Sequence, residues 1–484
     1  MKKLLASLFL LFSTQLISSE KVNIIFLLSD DQSFDSMGIY GNKDVRTPEM
    51  DKLGRDGIIF DRHYATTAIC MASRATIMTG MFEYKTGCNF THGELSSSAF
   101  SLSYPLLLQK SGYFTGFAGK FGIDGIEHPE THFDRWGGGP GQTSYITERN
   151  KSMKKYAAKY PHSTLSYGAF AIDFIKEAQK LNKPFCLSIS FKAPHKPATP
   201  DPNFDSIYKD THFEKPANYG YEHGQHLSEQ SRQGRQYERF ETWNYSDKYQ
   251  EVMRIYHQQI YAIDIVLGQI RSQLKELKLD KNTVIIYSSD NGFLCGSHGY
   301  GSKVLPYEES MRVPLMIYDP RLDPSSQGKR ISSLSGNCDI APTILELAGL
   351  SIPNNIDGIS LLPALIDHKI TLHKSLPLIN VWGPPATHFL GAVSKDWKYI
   401  NWAYEGKGMK KTESLFNMQK DSLELKNEAL NPEYAKQVKQ MRKNYDQHLK
   451  AWKNEAHPEN DYQRFGKLFD RNIPWSEKSA LWTK

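Results

Sequence analysis

Four short apolar runs, each ending in charged or coordinating residues, constrain this chain more than any other feature. Val22 to Leu28 leads into Ser29-Asp30-Asp31, and Tyr113 to Ala118 leads into Gly119-Lys120. Phe185 to Phe191 leads into Lys192-Ala193-Pro194-His195, and Thr283 to Tyr287 into Ser288-Ser289-Asp290-Asn291. Helical patterns lie between them, such as Leu165 to Leu181 and Tyr256 to Leu277, the latter apolar at Ile260, Ile263, Val266, Leu267 and Ile270. Near-continuous apolar strands alternating with helices predict an α/β fold with a mostly parallel or mixed central sheet flanked by helices. Ligands of open α/β sheets bind at the carboxyl ends of the strands. One polar strand end is an ordinary turn. Four of them form a constellation.

Asp30, Asp31, Asp290 and Asn291 supply three carboxylates and an amide oxygen, all hard donors that suit one Ca²⁺, or Mg²⁺, better than zinc. The 484 residues carry 59 Lys+Arg against 53 Asp+Glu, a net charge of +6 that suits an acidic substrate but is too small to argue for nucleic acid. Residues 197–247 are polar, aromatic and weakly periodic, which reads as a substrate-facing insertion. After about residue 375 the pattern changes. Ala392 to Trp402 reads as strands of a small sheet, and Pro432 to Trp452 as an amphipathic terminal helix, so 20–375 is expected as the catalytic α/β domain and 376–484 as a smaller α+β subdomain.

Met1-Lys2-Lys3, the apolar Leu4 to Leu16 and the small residues ending at Ser19 have the layout of a secretory signal over 1–19. The expected location is therefore secreted or periplasmic. No later stretch approaches the ~18 uninterrupted apolar residues of a membrane span. The five cysteines, Cys70, Cys88, Cys186, Cys295 and Cys338, show neither a CxxC pair nor zinc spacing, and an odd number leaves at least one unpaired.

Cys70-Met71-Ala72-Ser73-Arg74 opens a segment that closes with Thr79-Gly80. Here the chain resembles the formylglycine-dependent sulfatases of the alkaline phosphatase superfamily, whose motif is C-x-[PA]-x-R. Asp30, Asp31 and Asp290-Asn291-Gly292 match that family's metal residues. Thr47-Pro48, Asp51, Leu53 and Gly57 match a segment between the first strand and the cysteine. Ser297-His298-Gly299 with Lys303, then Tyr307-Glu308-Glu309 and Arg312-Val313-Pro314, match the stretch bearing a sulfate-binding lysine. Leu415-Phe416-Asn417, Asp421, Glu424 and Asn427 match the signature of the small C-terminal subdomain.

The resemblance implies an alkaline-phosphatase-like fold and a sulfuric ester hydrolase, with sulfated carbohydrate as substrate. It implies that a maturating enzyme oxidises Cys70 to formylglycine before folding, and that the gem-diol of that residue is the nucleophile beside the divalent cation. Arg74 is then expected to stabilise residue 70, and Lys120, Lys303 and His195 to bind sulfate. His195 is also expected to protonate the leaving group, and His298 to line the leaving-group subsite. The same superfamily includes phosphonate and phosphodiester hydrolases, which is one alternative. One departure stands out: where the family has histidine two residues after the lysine, this chain has Gly122. Asp124, His128 and His92 are the candidates to replace it, and a catalytically impaired sulfated-glycan-binding protein is the other alternative.

Overall fold

The computed structural model describes residues 21–482, so the expected leader lies outside the described residues. In chain order the strands are β1 (Asn23–Asp30), β2 (Ile58–Phe60), β3 (His63–Tyr64), β4 (Phe114–Lys120), β5 (Arg135–Gly139), β6 (Phe185–Pro194) and β7 (Thr283–Ser289). There follow β8 (Leu315–Tyr318), β9 (Arg330–Ile331), β10 (Ser335–Gly336), β11 (Leu376–Asn380), β12 (Phe389–Val393), β13 (Trp397–Trp402) and β14 (Thr412–Asn417). The large sheet has the order β5-β4-β6-β1-β7-β8-β2-β9. The pairs from β5 through β7 are parallel, whereas β8 runs antiparallel to both β7 and β2.

The apolar runs read as strands because both faces of this sheet are covered. Along β1, Ile25 and Leu27 pack with the helices Ser163–Lys180 and Tyr249–Glu276, while Ile24, Phe26 and Leu28 pack on the opposite face with Met71, Ala75 and Ile344. The period-two alternation is present, but each face meets apolar partners. All four strands extend beyond the apolar runs, so Asp30, Lys120, Pro194 and Ser289 are their final residues. The helix Tyr249–Glu276 begins a full turn and more before the expected Tyr256, because Tyr249 and Met253 are themselves buried.

The small sheet, β11-β12-β13-β14, is antiparallel throughout. The helix Ala435–Glu455 covers it through Val438, Met441, Tyr445, Leu449 and Trp452, a three-or-four-residue spacing that makes one stripe. Tyr64, Leu294 and Tyr307 belong to the same apolar cluster, so core packing runs without a break from the large unit into the small one. Lys398 of β13, fully buried, ties the two together: its ammonium lies 2.7 Å from Glu308 and 2.8 Å from Glu424. No helix among the described residues is long and apolar enough to cross a membrane.

Candidate active site

The site is built where β1, β4, β6 and β7 end. Asp30 closes β1, and Asp31 follows in a left-handed turn with φ 69° that swings its carboxylate towards β7. An aspartate tolerates that conformation better than most residues but pays for it in strain. Here the turn is held from three sides. The Tyr256 hydroxyl donates to the Asp31 carbonyl at 2.8 Å, the Asp31 amide donates to Asp290 Oδ1 at 3.2 Å, and Asn291 Nδ2 donates to Asp31 Oδ1 at 2.7 Å.

The helix Cys70–Thr79 begins at the floor of this cluster, with Cys70 4% exposed and Ile69 extended before it. Its first-turn amide groups and dipole favour an anion there. Arg74, one turn on and buried, donates through Nε to Asp290 Oδ2 at 2.9 Å, and its second terminal nitrogen lies 2.9 Å from the same oxygen. Its first terminal nitrogen donates to the Lys120 carbonyl at 2.7 Å and to the Ser190 hydroxyl. This fork locks the helix to three strand ends, a geometry that lysine cannot reproduce.

Lys120 reaches Asp30 Oδ2 at 2.7 Å, and Lys303 bonds Asp31 Oδ1 while lying 3.9 Å from Asp30 Oδ1. Burial alone would raise the Asp30 pKa, but Lys120, His195, Arg74 and Lys303 together outweigh it and hold the carboxyl well below the ordinary range. Burial lowers the Lys303 pKa less than Asp31 and its acidic neighbours raise it, so the ammonium stays charged. His195 stands at the rim, with Nε2 3.8 Å from Asp31 Oδ2 and 3.3 Å from Gln142 Nε2. Burial holds its pKa below the usual value despite Asp30 and Asp31.

The donor set fits a divalent cation. Asp30 Oδ1 and Asn291 Oδ1 are buried without a hydrogen-bond partner, and ligand atoms of Asp30, Asp31 and His195 lie within 4.8 Å of one another. Two hard oxygens left unpaired in a buried, acidic cluster are what an oxygen-preferring dication satisfies. Asp30, Asp31, Asp290, Asn291, Cys70, Arg74, Lys120, Lys303 and His195 are thus brought together.

His298 is not. It is fully buried, contacts Asn218 Nδ2 at 3.1 Å and the His223 carbonyl at 3.2 Å, and is held down to about 3 by burial, so it forms part of the packing beneath the loop rather than of a leaving-group subsite. Nor do the candidates to replace the histidine at Gly122 reach the centre. His92 is bonded to Asp461 and the Val381 carbonyl, while His128 pairs at the surface with Glu130 and Asp124 is exposed. Gly122 itself is at the site with φ 65°, and a Cβ there would meet Lys120 Cε at 3.0 Å and Arg74 Cδ at 3.1 Å. The five cysteines are all unpaired, and burial pushes the Cys186 thiol up to about 12.

Several contributors escaped the sequence. Ser73 donates to the Asp290 carbonyl and accepts from Asn337 Nδ2 at 2.9 Å, and Asn337 Oδ1 accepts from both the amide and hydroxyl of Thr66. Ser73 was visible within the cysteine motif, but Asn337 has no sequence signal. A cleft of about 610 Å³ opens from Asp31, His195 and Lys303 and is walled by Lys196, Arg235, Arg239 and Trp243.

The chain is similar to known proteins over most of its length. The sulfatase family model matches residues 22–350, and a model described as the C-terminal part of N-sulphoglucosamine sulphohydrolase matches residues 296–451. An N-acetylglucosamine-6-O-sulfatase of Bacteroides thetaiotaomicron is 29% identical, over 90% of this chain and 88% of its own. An arylsulfatase of Clostridium perfringens is 26% identical over 87% of this chain and 93% of its own. A solved structure described as a complex with its substrate D-glucosamine-2-N,6-O-disulfate superposes with a TM-score of 0.74 at 28% identity, covering 90% of this chain and 99% of that one. With the family model spanning well over half its length and the strand-end cluster in place, this chain belongs to the sulfatases, hydrolases of sulfuric esters.

Proposed function

We propose that the protein removes sulfate from a sulfated carbohydrate, using a formylglycine made from Cys70 and one divalent cation, Ca²⁺ in the first instance, held by Asp30, Asp31, Asp290 and Asn291. The observation that carries this reading is the convergence of these four residues with Cys70, Arg74, Lys120, Lys303 and His195 at the carboxyl ends of the central strands. When present, the cation and the matured residue 70 supply charge stabilisation and the nucleophile. The chain's own residues do the rest. Lys120 and Lys303 are buried ammonium groups that bind sulfate oxygens as point charges, and Arg74 fixes the start of the helix against Asp290. His195, at the rim facing the cleft, binds sulfate and delivers a proton to the leaving oxygen. The cleft wall of aromatic and basic residues suits an anionic sugar.

The names of the relatives make 6-O-sulfated hexosamine the first substrate to test. Residues 1–19 serve as the signal for export, and the maturating enzyme acts on Cys70 before folding. The test is sulfate release from N-acetylglucosamine-6-O-sulfate by protein expressed with a maturating enzyme, with mass spectrometry of the Cys70 peptide. The aldehyde form with turnover, and no turnover in Cys70→Ala, is the expected result. An unmodified thiol after such expression favours a glycan-binding role, and faster cleavage of phosphodiesters than of sulfate esters refutes the substrate class.

A further inference from the structure

The cleft carries three cations that the chemistry at Cys70 does not use. Arg235 and Arg239 stand four residues apart on the helix Arg235–Thr242 and so project from one side of it, and Lys196 follows His195 directly. All three line the cleft that opens from Asp31 and Lys303. Each rests on aromatic surface rather than on a carboxylate. The Arg235 guanidinium lies 4.1 Å from the ring centre of Trp382, that of Arg239 4.1 Å from Trp243, and Lys196 Nζ 4.9 Å from Trp243 and 5.0 Å from Tyr245.

Among the described residues none of the three makes an ion pair. Arg239 donates to the Ser302 hydroxyl at 2.8 Å, and Lys196 to the Trp243 carbonyl at 3.4 Å. The acids that share the cleft are Asp31, already engaged by Lys303 and Asn291, and Glu251 at its outer wall. Burial first, and the neighbouring Arg235 second, push the Arg239 pKa down to about 10, with Asp31 opposing them only in part.

Position ties the cluster to the reaction centre. Trp382, over which Arg235 lies, packs against Ile69, Ala72 and Val304, the neighbours of Cys70 and Lys303. Ser302, which anchors Arg239, precedes Lys303 in the chain. Guanidinium groups set over indole rings, with no ion pair of their own among the described residues, are preorganised for an oxyanion.

We infer that Arg235, Arg239 and Lys196 form a second anion subsite, which recognises a further sulfate or carboxylate on the saccharide whose sulfate ester is cleaved. This rests on the sulfatase reading of the Cys70 centre. It makes the two arginines specificity determinants supplied by the insertion rather than by the strand ends.

The test is calorimetric binding to the full-length, unmatured Cys70→Ala protein of three probes: N-acetylglucosamine-6-O-sulfate, D-glucosamine-2-N,6-O-disulfate, and a 6-O-sulfated disaccharide bearing glucuronate. One of the two dianionic probes should bind roughly tenfold to a hundredfold tighter than the monosulfate, and which one does so separates sulfate from carboxylate recognition. Arg235→Gln with Arg239→Gln should erase that ratio, and the same pair should be compared by thermal melting to show that the variant is folded. Equal affinities for all three probes in the parent, or a ratio that survives the double substitution, overturns the subsite. Sulfate release by the matured enzyme is scored separately. Its absence rejects the reading of Cys70, while the binding ratio still decides the subsite.

Discussion

Replacing Lys398 by methionine should destabilise the protein by an amount that depends on pH, and the dependence is the informative part. The ammonium is fully buried between Glu308 at 2.7 Å and Glu424 at 2.8 Å. At an effective dielectric constant of about 20, contacts this short are each worth ~6 kcal/mol before desolvation is counted. Burial pushes Glu424 up to about 8 even beside Lys398, so near neutral pH the ammonium chiefly neutralises Glu308. Removing one partner of a buried ion pair typically costs ~3–5 kcal/mol. Arg312 at 3.7 Å and the Tyr64 hydroxyl at 2.9 Å still face Glu308, which places the expected loss at the lower end, ~3 kcal/mol near pH 8.

The sign follows from linkage. With Lys398 present, burial alone would raise the Glu308 pKa, but Lys398 and Arg312 hold it below its ordinary 4.5, so its stabilisation is present above that value and lost as the pH falls. Without Lys398, burial pushes the folded pKa above the unfolded one, and the opposite holds: stability is retained at low pH and lost as the pH rises. The difference between Lys398→Met and the parent, read from urea midpoints, should therefore shrink to ~1–2 kcal/mol near pH 5.5. Adding Glu308→Gln to Lys398→Met should recover about half of the loss near pH 8, since the buried carboxylate stranded by loss of Lys398 is removed with it. A deficit that is the same at both pH values, or one below about 1 kcal/mol near pH 8, would refute the electrostatic account and leave only packing.

Two further outcomes are expected. Calcium added to chelator-treated protein should raise its stability by ~2.7 kcal/mol at about a hundred times the dissociation constant, and Asn291→Ala, which removes one unpaired buried oxygen, should weaken that response; a midpoint insensitive to calcium, magnesium and chelator alike counts against the cation site. Asp264 caps the helix Pro48–Asp56 by accepting from the Met50 amide at 2.7 Å, while burial pushes its pKa up to about 7. A raised carboxyl pKa gives stability that is full below the usual carboxylate range and lost as the pH climbs towards 7. Asp264→Asn, which keeps the accepting oxygen, should be ~1–3 kcal/mol more stable than the parent near pH 8 and equal to it near pH 4, and a less stable variant near pH 8 would show that the charge is favourable.

The strand ends were legible because each apolar run stops at the residue whose chemistry matters, and local order along the chain carries that information to Asp30, Lys120 and Asp290. Direction was harder to read. His298 sits in a recognisable stretch, but which way its ring points is decided by Asn218, 80 residues earlier in the chain. Arg235 and Arg239 lie in a short helix, and their surroundings are set by Trp382 and Trp243. The partners of Lys398 likewise come from the one-turn helix Glu308–Met311, about ninety residues before it, and from a turn after it. Arg239 and Trp243 are near in sequence, but the other pairings are properties of the packed chain, and their members lie far apart along it.

The central position of β1 has a consequence for the order of events during biosynthesis. Its two neighbours come from 162 and 260 residues further along, so the sheet that shapes the centre cannot close until β7 has been made. Pairings this distant in sequence slow folding, because the loop must be closed before the contact rewards it. Until then the Cys70 segment stays reachable; afterwards only 4% of the residue is exposed. A late-closing centre thus leaves Cys70 accessible while the chain is being made, and the same topology then buries it.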